Sequence, residues 1–263
     1  MLTEVLRELA EKTQSDENEQ HTRRYRAALS RFVSALEPRA DGRLWVGFRQ
    51  EYAVDVVDPT SKLPGSFLKG GLAIYDPGSM VWTDEQHAEV EGSWSRPTFK
   101  RLPSENITVL AYGSDGILWI GTDSGGLNRF DRRTGRWRHY LHRPGDPASL
   151  GHPTVRALTG DRDGALWIAT NGGGADRLDP RTGRFTHYRH DPGNTNSLAH
   201  DELRTVTQDR SGTLWFGTFG GGLDRFDPAT GTFRHHRHDP NDPASISHDF
   251  IRFVFEDREG MLW

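Results

Sequence analysis

Nine of the 12 histidines recur in register: His139, His187 and His235, then His142, His190 and His238, then His152, His200 and His248, each set spaced by 48 residues. Imidazoles in such number could ligate a metal or carry protons. Ligation needs convergence, and the spacing works against it. His187 and His190 lie three apart on an extended segment and point to opposite faces. Equivalent histidines of successive units are roughly 10 Å or more apart, the spacing of packed sheets. No metal and no cofactor is expected. Arg129, Arg177 and Arg225 also recur, each followed two residues later by Asp131, Asp179 or Asp227. Two apart on a strand, each pair shares a face. The pairs could form ion pairs from unit to unit or line a channel, and their recurrence favours the scaffold role. The 37 acidic residues are too evenly spread to single out a carboxylate dyad, and no Ser/His/Asp triad stands out, so no catalytic residue is nominated.

Four positions break the repetition. Four residues after a recurring Trp stand Arg49, Asp123, Asn171 and Phe219. A cation, an anion, an amide and an aromatic ring at equivalent places are the mixture that a polar ligand such as a saccharide would use. Asp and Asn are also common turn formers, which is the plainer account of two of the four.

The elements that position these residues come from the repeat itself. Leu-Trp follows an acidic-Gly or Ser-Gly turn five times, placing Trp45, Trp119, Trp167, Trp215 and Trp263. The last four are 48 apart; the first gap is 74, with the extra residues near 50–69 and between 77 and 103. Each unit reads as four short strands. In one unit they fall at 154–159, 165–170, 175–179 and 184–189, separated by Asp163-Gly164, by the Gly172–Gly174 run and by Thr182-Gly183. Leu166, Trp167, Ile168 and Ala169 do not alternate, which fits sheets buried on both faces. Four-stranded units of this length with Trp and Gly signals predict an all-β fold, a β-propeller whose tryptophans pack between blades. The blades are expected at about 32–103, 104–143, 152–191 and 200–239, with the start of the next at 248–263. Residues 1–31, where Leu2, Val5, Leu6 and Leu9 share one face, read as a short helical or linker segment. The chain thus reads as a propeller fragment of about four and a half blades.

Composition narrows the function classes. The net charge is −4, with 33 basic and 37 acidic residues, so neither nucleic acid nor an anionic membrane is attracted in general. The absence of cysteine excludes disulfide scaffolds, thiol catalysis and Cys-ligated zinc. No apolar run approaches the ~18 residues of a membrane span. Glu4 and Glu8 stand where a signal peptide needs an apolar core, so no signal peptide is visible.

Hairpin parity gives the sharpest positional inference. In an up-and-down blade, the turn between the first two strands and the turn between the last two lie at one end. The Gly-rich turn and the blade-crossing loop share the other. That second end holds 50–69, the loops 143–153, 191–201 and 239–249, and the four unlike residues. Binding residues gather on varied loops carried by a rigid scaffold.

The unit running from Asp209 through Leu214-Trp215 to Thr218, then Gly220–Gly222 to Pro228, then Thr230-Gly231 to Phe233, resembles the two-component regulator propeller repeat. The resemblance is strong over 104–263 and loose over 32–103. It implies a seven-bladed propeller in the extracytoplasmic, periplasmic sensor region of a bacterial hybrid histidine kinase or related signalling protein. By that resemblance the segment binds a small molecule, carbohydrate-derived in some members, and has no catalysis of its own; a homodimer through the parent protein stays open. Trp-Asp, the mark of WD repeats, does not occur. The acid three residues before Gly212 sits one position too early for a sialidase Asp box. Asp131 to Trp137 shares the quinoprotein Thr-Gly pattern, a packing feature. Streptogramin lyase-like propellers share the Asp-Gly-x-Leu-Trp run and supply the enzyme alternative; a protein-interaction platform is the third reading.

Overall fold

The turns explain why the strands start where they do. At 161–164, Asp161 Oδ1 accepts the amides of Asp163 (3.0 Å) and Ala165 (2.8 Å), and its Oδ2 accepts the Trp167 indole N–H at 2.9 Å. Gly164 closes the turn at φ +82°, a conformation that costs glycine nothing. Asp209 and Asp257 repeat this, holding the indoles of Trp215 and Trp263 at 2.8 and 2.7 Å. The acid three residues before the Gly therefore sets both the turn and the Trp orientation.

The structure is a computed structural model that describes residues 33–38, 44–48, 71–76, 81–83, 102–104, 106–112, 116–131 and 133–263. The helical segment expected over 1–31 lies outside the described residues. The chain divides into two compact units, Met1–Ile120 and Gly121–Trp263.

Every described element is a β-strand, and the strands make four-stranded sheets in chain order. The first sheet comprises β1 (Val33–Pro38), β2 (Leu44–Phe48), β3 (Gly71–Asp76) and β4 (Val81–Thr83), antiparallel throughout. The second comprises β5 (Ile107–Tyr112), β6 (Ile117–Thr122), β7 (Leu127–Asp131) and β8 (Arg136–Tyr140). The third is β9 (Val155–Gly160), β10 (Leu166–Thr170), β11 (Ala175–Asp179) and β12 (Arg184–Tyr188). The fourth is β13 (Leu203–Gln208), β14 (Leu214–Thr218), β15 (Leu223–Asp227) and β16 (Thr232–His236). Beyond it, Phe255 and Trp263 exchange both backbone bonds, at 3.1 and 2.9 Å. First strands of successive sheets lie side by side, β1 against β5 and β9 against β13. This is the β-propeller arrangement.

Every residue of β6 and β10 is buried, and in β14 every residue but the half-buried Trp215. Trp167, 1% exposed, stacks on Tyr188 at 5.2 Å and meets Phe216 and Phe226 of the next sheet edge-on at 5.5 and 4.9 Å. Leu203, Val206 and Phe233 complete that core between two sheets. The tryptophan thus does pack between blades.

Candidate functional site

Parity is visible in the hydrogen bonds. At one end, the Gly-rich turn after β10 is tied to the loop that crosses into the next sheet: Gly172 N and Gly174 N both donate to Asp201 O, at 3.2 and 2.8 Å. The turn after β14 does the same, Gly220 N and Gly222 N donating to Asp249 O at 3.1 and 3.0 Å. Asp201 and Asp249 in turn accept the amides of His190 (2.7 Å) and His238 (2.8 Å). The last residue of the second strand caps the turn from inside. Thr170 Oγ1, fully buried, accepts Gly173 N at 3.0 Å and donates to Gly174 O at 2.7 Å. Gly173 has no room for a side chain, because a Cβ there would lie 2.7 Å from His152 Cβ and 2.8 Å from the Gly151 carbonyl.

Onto this constant frame the sequence mounts unlike side chains. Asp123, Asn171 and Phe219 each begin a Gly-rich turn, and each meets the residue that opens the inner strand of the following sheet. Thr154 Oγ1 donates to the Asp123 carbonyl. Asn171 bridges to Glu202, and Phe219 to Phe250. Thr154, Glu202 and Phe250 are themselves equivalent and 48 apart. Two residues on, Arg156 Nε donates to Asn171 Oδ1 at 3.0 Å. At the next equivalent place Arg204 pairs with Glu202 and lays its guanidinium over the Phe219 ring, 4.5 Å from its centroid. Phe219 stacks on Phe250 at 4.6 Å, and His248 stacks on Phe250 at 4.8 Å. Both phenylalanines are exposed, at 42% and 49%. Successive blades thus carry a hydrogen-bonded polar pair, then an amide with a guanidinium and a carboxylate, then an aromatic platform. Arg49 lies outside the described residues.

The sequence reading named Asp123, Asn171 and Phe219 but missed Thr154, Arg156, Glu202, Arg204 and Phe250. The signal was present, since 154, 202 and 250 differ as sharply as the named set; what was lacking was the pairing across blades.

The recurring Arg and Asp do not form an ion-pair ring between blades in the described sheets. Arg177 Nε reaches Asp161 of its own sheet at 3.4 Å, and Arg225 lies 6.0 Å over its own Trp215. Asp179 and Asp227 instead accept turn amides at 2.9 Å, from Arg181 and Ala229. Each of the nine recurring histidines has its own hydrogen-bond partner. His142, His190 and His238 face the carbonyls of Leu150, Leu198 and Ile246 through Nδ1 at 2.7–2.8 Å. His152, His200 and His248 accept the amides of Thr154, Glu202 and Phe250 at 2.9–3.1 Å. An imidazole that accepts at Nδ1 is neutral, and burial holds His152 below the usual histidine range.

At the opposite end the turns are joined by one device. Arg162 donates to the carbonyls of Arg210 and Ser211, and Arg210 to those of Asp257 and Arg258.

The comparisons with known proteins agree with this geometry. The family described as "Two component regulator propeller" matches residues 101–124, 149–172 and 197–220. Each match runs through an inner strand and a second strand into a Gly-rich turn. No curated protein matches the sequence. Among solved structures, the extracellular domain of the hybrid two component system BT3049 from B. thetaiotaomicron is similar at 21% identity with TM-score 0.60, over 89% of this chain and 27% of that one. The extracellular domain of the one component system BT4673 from B. thetaiotaomicron follows at 20% identity and TM-score 0.57, over 88% and 31%. Virginiamycin B lyase from Staphylococcus aureus is similar at 14% identity and TM-score 0.54, over 89% and 62%. At these identities the likeness is one of fold, and the chain spans only about a third or less of the two sensor structures. The chain carries two component regulator propeller repeats, and no helix among the described residues is long and apolar enough to cross a membrane.

Proposed function

We propose that this run of two component regulator propeller repeats is the ligand-binding part of an extracytoplasmic sensor in a bacterial two-component, hybrid histidine kinase type of protein, and that it acts by binding rather than by catalysis. One observation carries the reading: at the Gly-rich end the backbone bonds are the same from blade to blade while the side chains are not. A scaffold under packing constraint alone has no use for Asp123, Asn171 and Phe219 at equivalent places, or for Thr154, Glu202 and Phe250 beside them. The array supplies acceptors, an amide, two guanidinium groups and a stacked aromatic pair, which suit a hydroxyl-rich small molecule of carbohydrate type. The matched repeats and the sensor-domain fold neighbours support the extracytoplasmic setting.

The test is a thermal-shift screen of the chain against a panel of neutral and acidic oligosaccharides, followed by calorimetry on any hit. Alanine at Asn171 or Phe219 is expected to weaken binding about tenfold, the effect of one central contact. A hit whose affinity ignores all three of Asp123→Ala, Asn171→Ala and Phe219→Ala would refute the placement. The lyase fold neighbour gives the enzyme reading its one support, and it has a direct check: quinupristin, bound in a solved structure of the Staphylococcus aureus lyase, is expected to remain intact on incubation with this chain.

A further inference from the structure

The third and fourth sheets each bury a carboxylate on their third strand, and Asp176 and Asp224 have no exposed surface. Both are surrounded in the same way. Asp176 Oδ2 accepts Gly151 N at 2.6 Å, and Oδ1 faces His187 Nδ1 at 2.6 Å. The other nitrogen, His187 Nε2, faces the Pro147 carbonyl at 2.8 Å. Asp224 repeats the set with Ala199 N at 2.8 Å and His235 Nδ1 at 2.6 Å, and His235 Nε2 faces the Thr195 carbonyl at 2.9 Å. A carbonyl oxygen can only accept, and an ionised carboxylate likewise. While the carboxylate is ionised, both ring nitrogens must donate, which only the imidazolium can do. Pro147 and Gly151 belong to one crossing loop, Thr195 and Ala199 to the next.

We propose that the His187–Asp176 and His235–Asp224 pairs are proton-operated clasps on the crossing loops. With the imidazole protonated, each clasp holds its loop at two points, a carbonyl on the histidine and an amide on the carboxylate. When the proton leaves, the histidine nitrogen turns a lone pair toward the carbonyl, and the buried carboxylate loses its counterion. The clasps exist whether or not the chain binds a ligand, but they order the loops at the end that carries Asn171 and Phe219.

At His187 the surroundings favour the charged imidazole. The hydrogen bond to Asp176 holds the His187 imidazole above the usual histidine range, against the effect of its burial. Burial pushes the Asp224 carboxyl up, against the hydrogen bonds from the Ala199 amide and His235. The other charged and titratable groups near His187 are Arg189 and, across a groove of about 420 Å³, His142, Arg143 and Asp146. Around the second pair stand Arg234, His236 and Arg237. Because the His187 value is raised on folding, its contribution is complete below the ordinary histidine range, near 6.5, and is lost as pH climbs through the raised value. The second sheet carries the uncharged version: Asn128 Oδ1 faces His139 Nδ1 at 2.6 Å, and burial pushes His139 down.

The experiment is amide hydrogen exchange on the full chain from pH 6 to pH 9, corrected for the intrinsic pH dependence of exchange. Protection of the Gly151 and Ala199 amides is expected to fall about tenfold across that range, the worth of one hydrogen bond to a charged group. The turn amides of Gly164 and Gly212, bonded to Asp161 and Asp209 carbonyls at 3.1 and 2.9 Å, should stay flat. In His187→Gln the step at Gly151 should vanish while that at Ala199 persists, so each clasp is the other's control. Asp176→Asn, which copies the residue found at 128, should do the same if the Gln variant folds poorly. Flat protection at both loops in the unaltered chain, or a step at Gly151 that survives both substitutions, overturns the proposal.

Discussion

The two ends of these blades are built from one repeat and behave differently. At the end formed by the Asp161-type and Asp179-type turns, equivalent side chains make equivalent bonds: Asp161 and Asp209 hold the indole below them, and Arg162 and Arg210 reach across to the next turn. At the Gly-rich end the backbone is as regular, with paired glycine amides on Asp201 and Asp249. The side chains there are polar at Asp123, amide at Asn171 and aromatic at Phe219. One end spends its side chains on joining blades. The other achieves the joining with backbone, Thr170-type caps and crossing loops, which frees its side chains to differ.

That contrast can be broken at several depths. The largest effect is expected at the shared frame. Trp167→Ala removes a fully packed ring between two sheets and should destabilise the chain by ~3–5 kcal/mol in denaturant unfolding. Both ends should suffer alike; an unchanged midpoint would mean that the sheets do not depend on this core. Next, His187→Ala leaves Asp176 buried without its cation and should cost ~2–3 kcal/mol at pH 6, the worth of a hydrogen bond to a charged group. The same substitution should cost less at pH 9, where the native clasp has already weakened.

A pH effect of opposite sign separates the ends. Burial pushes the Asp209 carboxyl up, but hydrogen bonds from Ser211, the Trp215 indole and the Thr213 amide outweigh it and hold the group below the usual carboxylate range. A depressed value stabilises the fold above the ordinary carboxylate pKa, and that stability is lost as pH falls through the depressed one. Exchange at the Gly212 turn should therefore rise in acid, whereas the crossing loops loosen in alkali. Loss of protection at both ends in the same pH direction would erase the distinction. The smallest effect is expected at the opposite-end surface. Arg162→Ala should cost ~0.5–1.5 kcal/mol through lost carbonyl bonds, and Thr134→Ala should be close to neutral, within ~0.5 kcal/mol. Thr134 is thus the cleaner control for binding.

Much of the fold was legible because the repeat is long-range and regular. The 48-residue spacing of Trp119, Trp167, Trp215 and Trp263 fixes four-stranded units, and the non-alternating 166–169 run announces strands covered on both sides. Parity then places the Gly-rich turns and crossing loops together. The pairs between blades were not legible. Asn171 with Glu202 and Phe219 with Phe250 are 31 residues apart, and no local pattern says that the end of one second strand meets the start of the next first strand. The roles of the histidines were hidden for a similar reason: His187 and Asp176 are cross-strand neighbours, while Pro147 belongs to the crossing loop 40 residues earlier. The recurrence of Arg177 and Asp179 leaves ion pairs from unit to unit and a lined channel both open, because spacing shows a shared face but not which group is nearest. The nearest proved to be Asp161 for the arginine and a turn amide for the aspartate.

The proposed recognition occurs at the Gly-rich end. Its most direct measurement is exchange mapping of the chain with a saturating oligosaccharide found by the thermal-shift screen. Added protection should fall on 122–126, 152–156, 170–174, 200–204 and 218–222. Protection confined to 133–136, 161–165 and 209–213 would put the ligand on the opposite end and contradict the account.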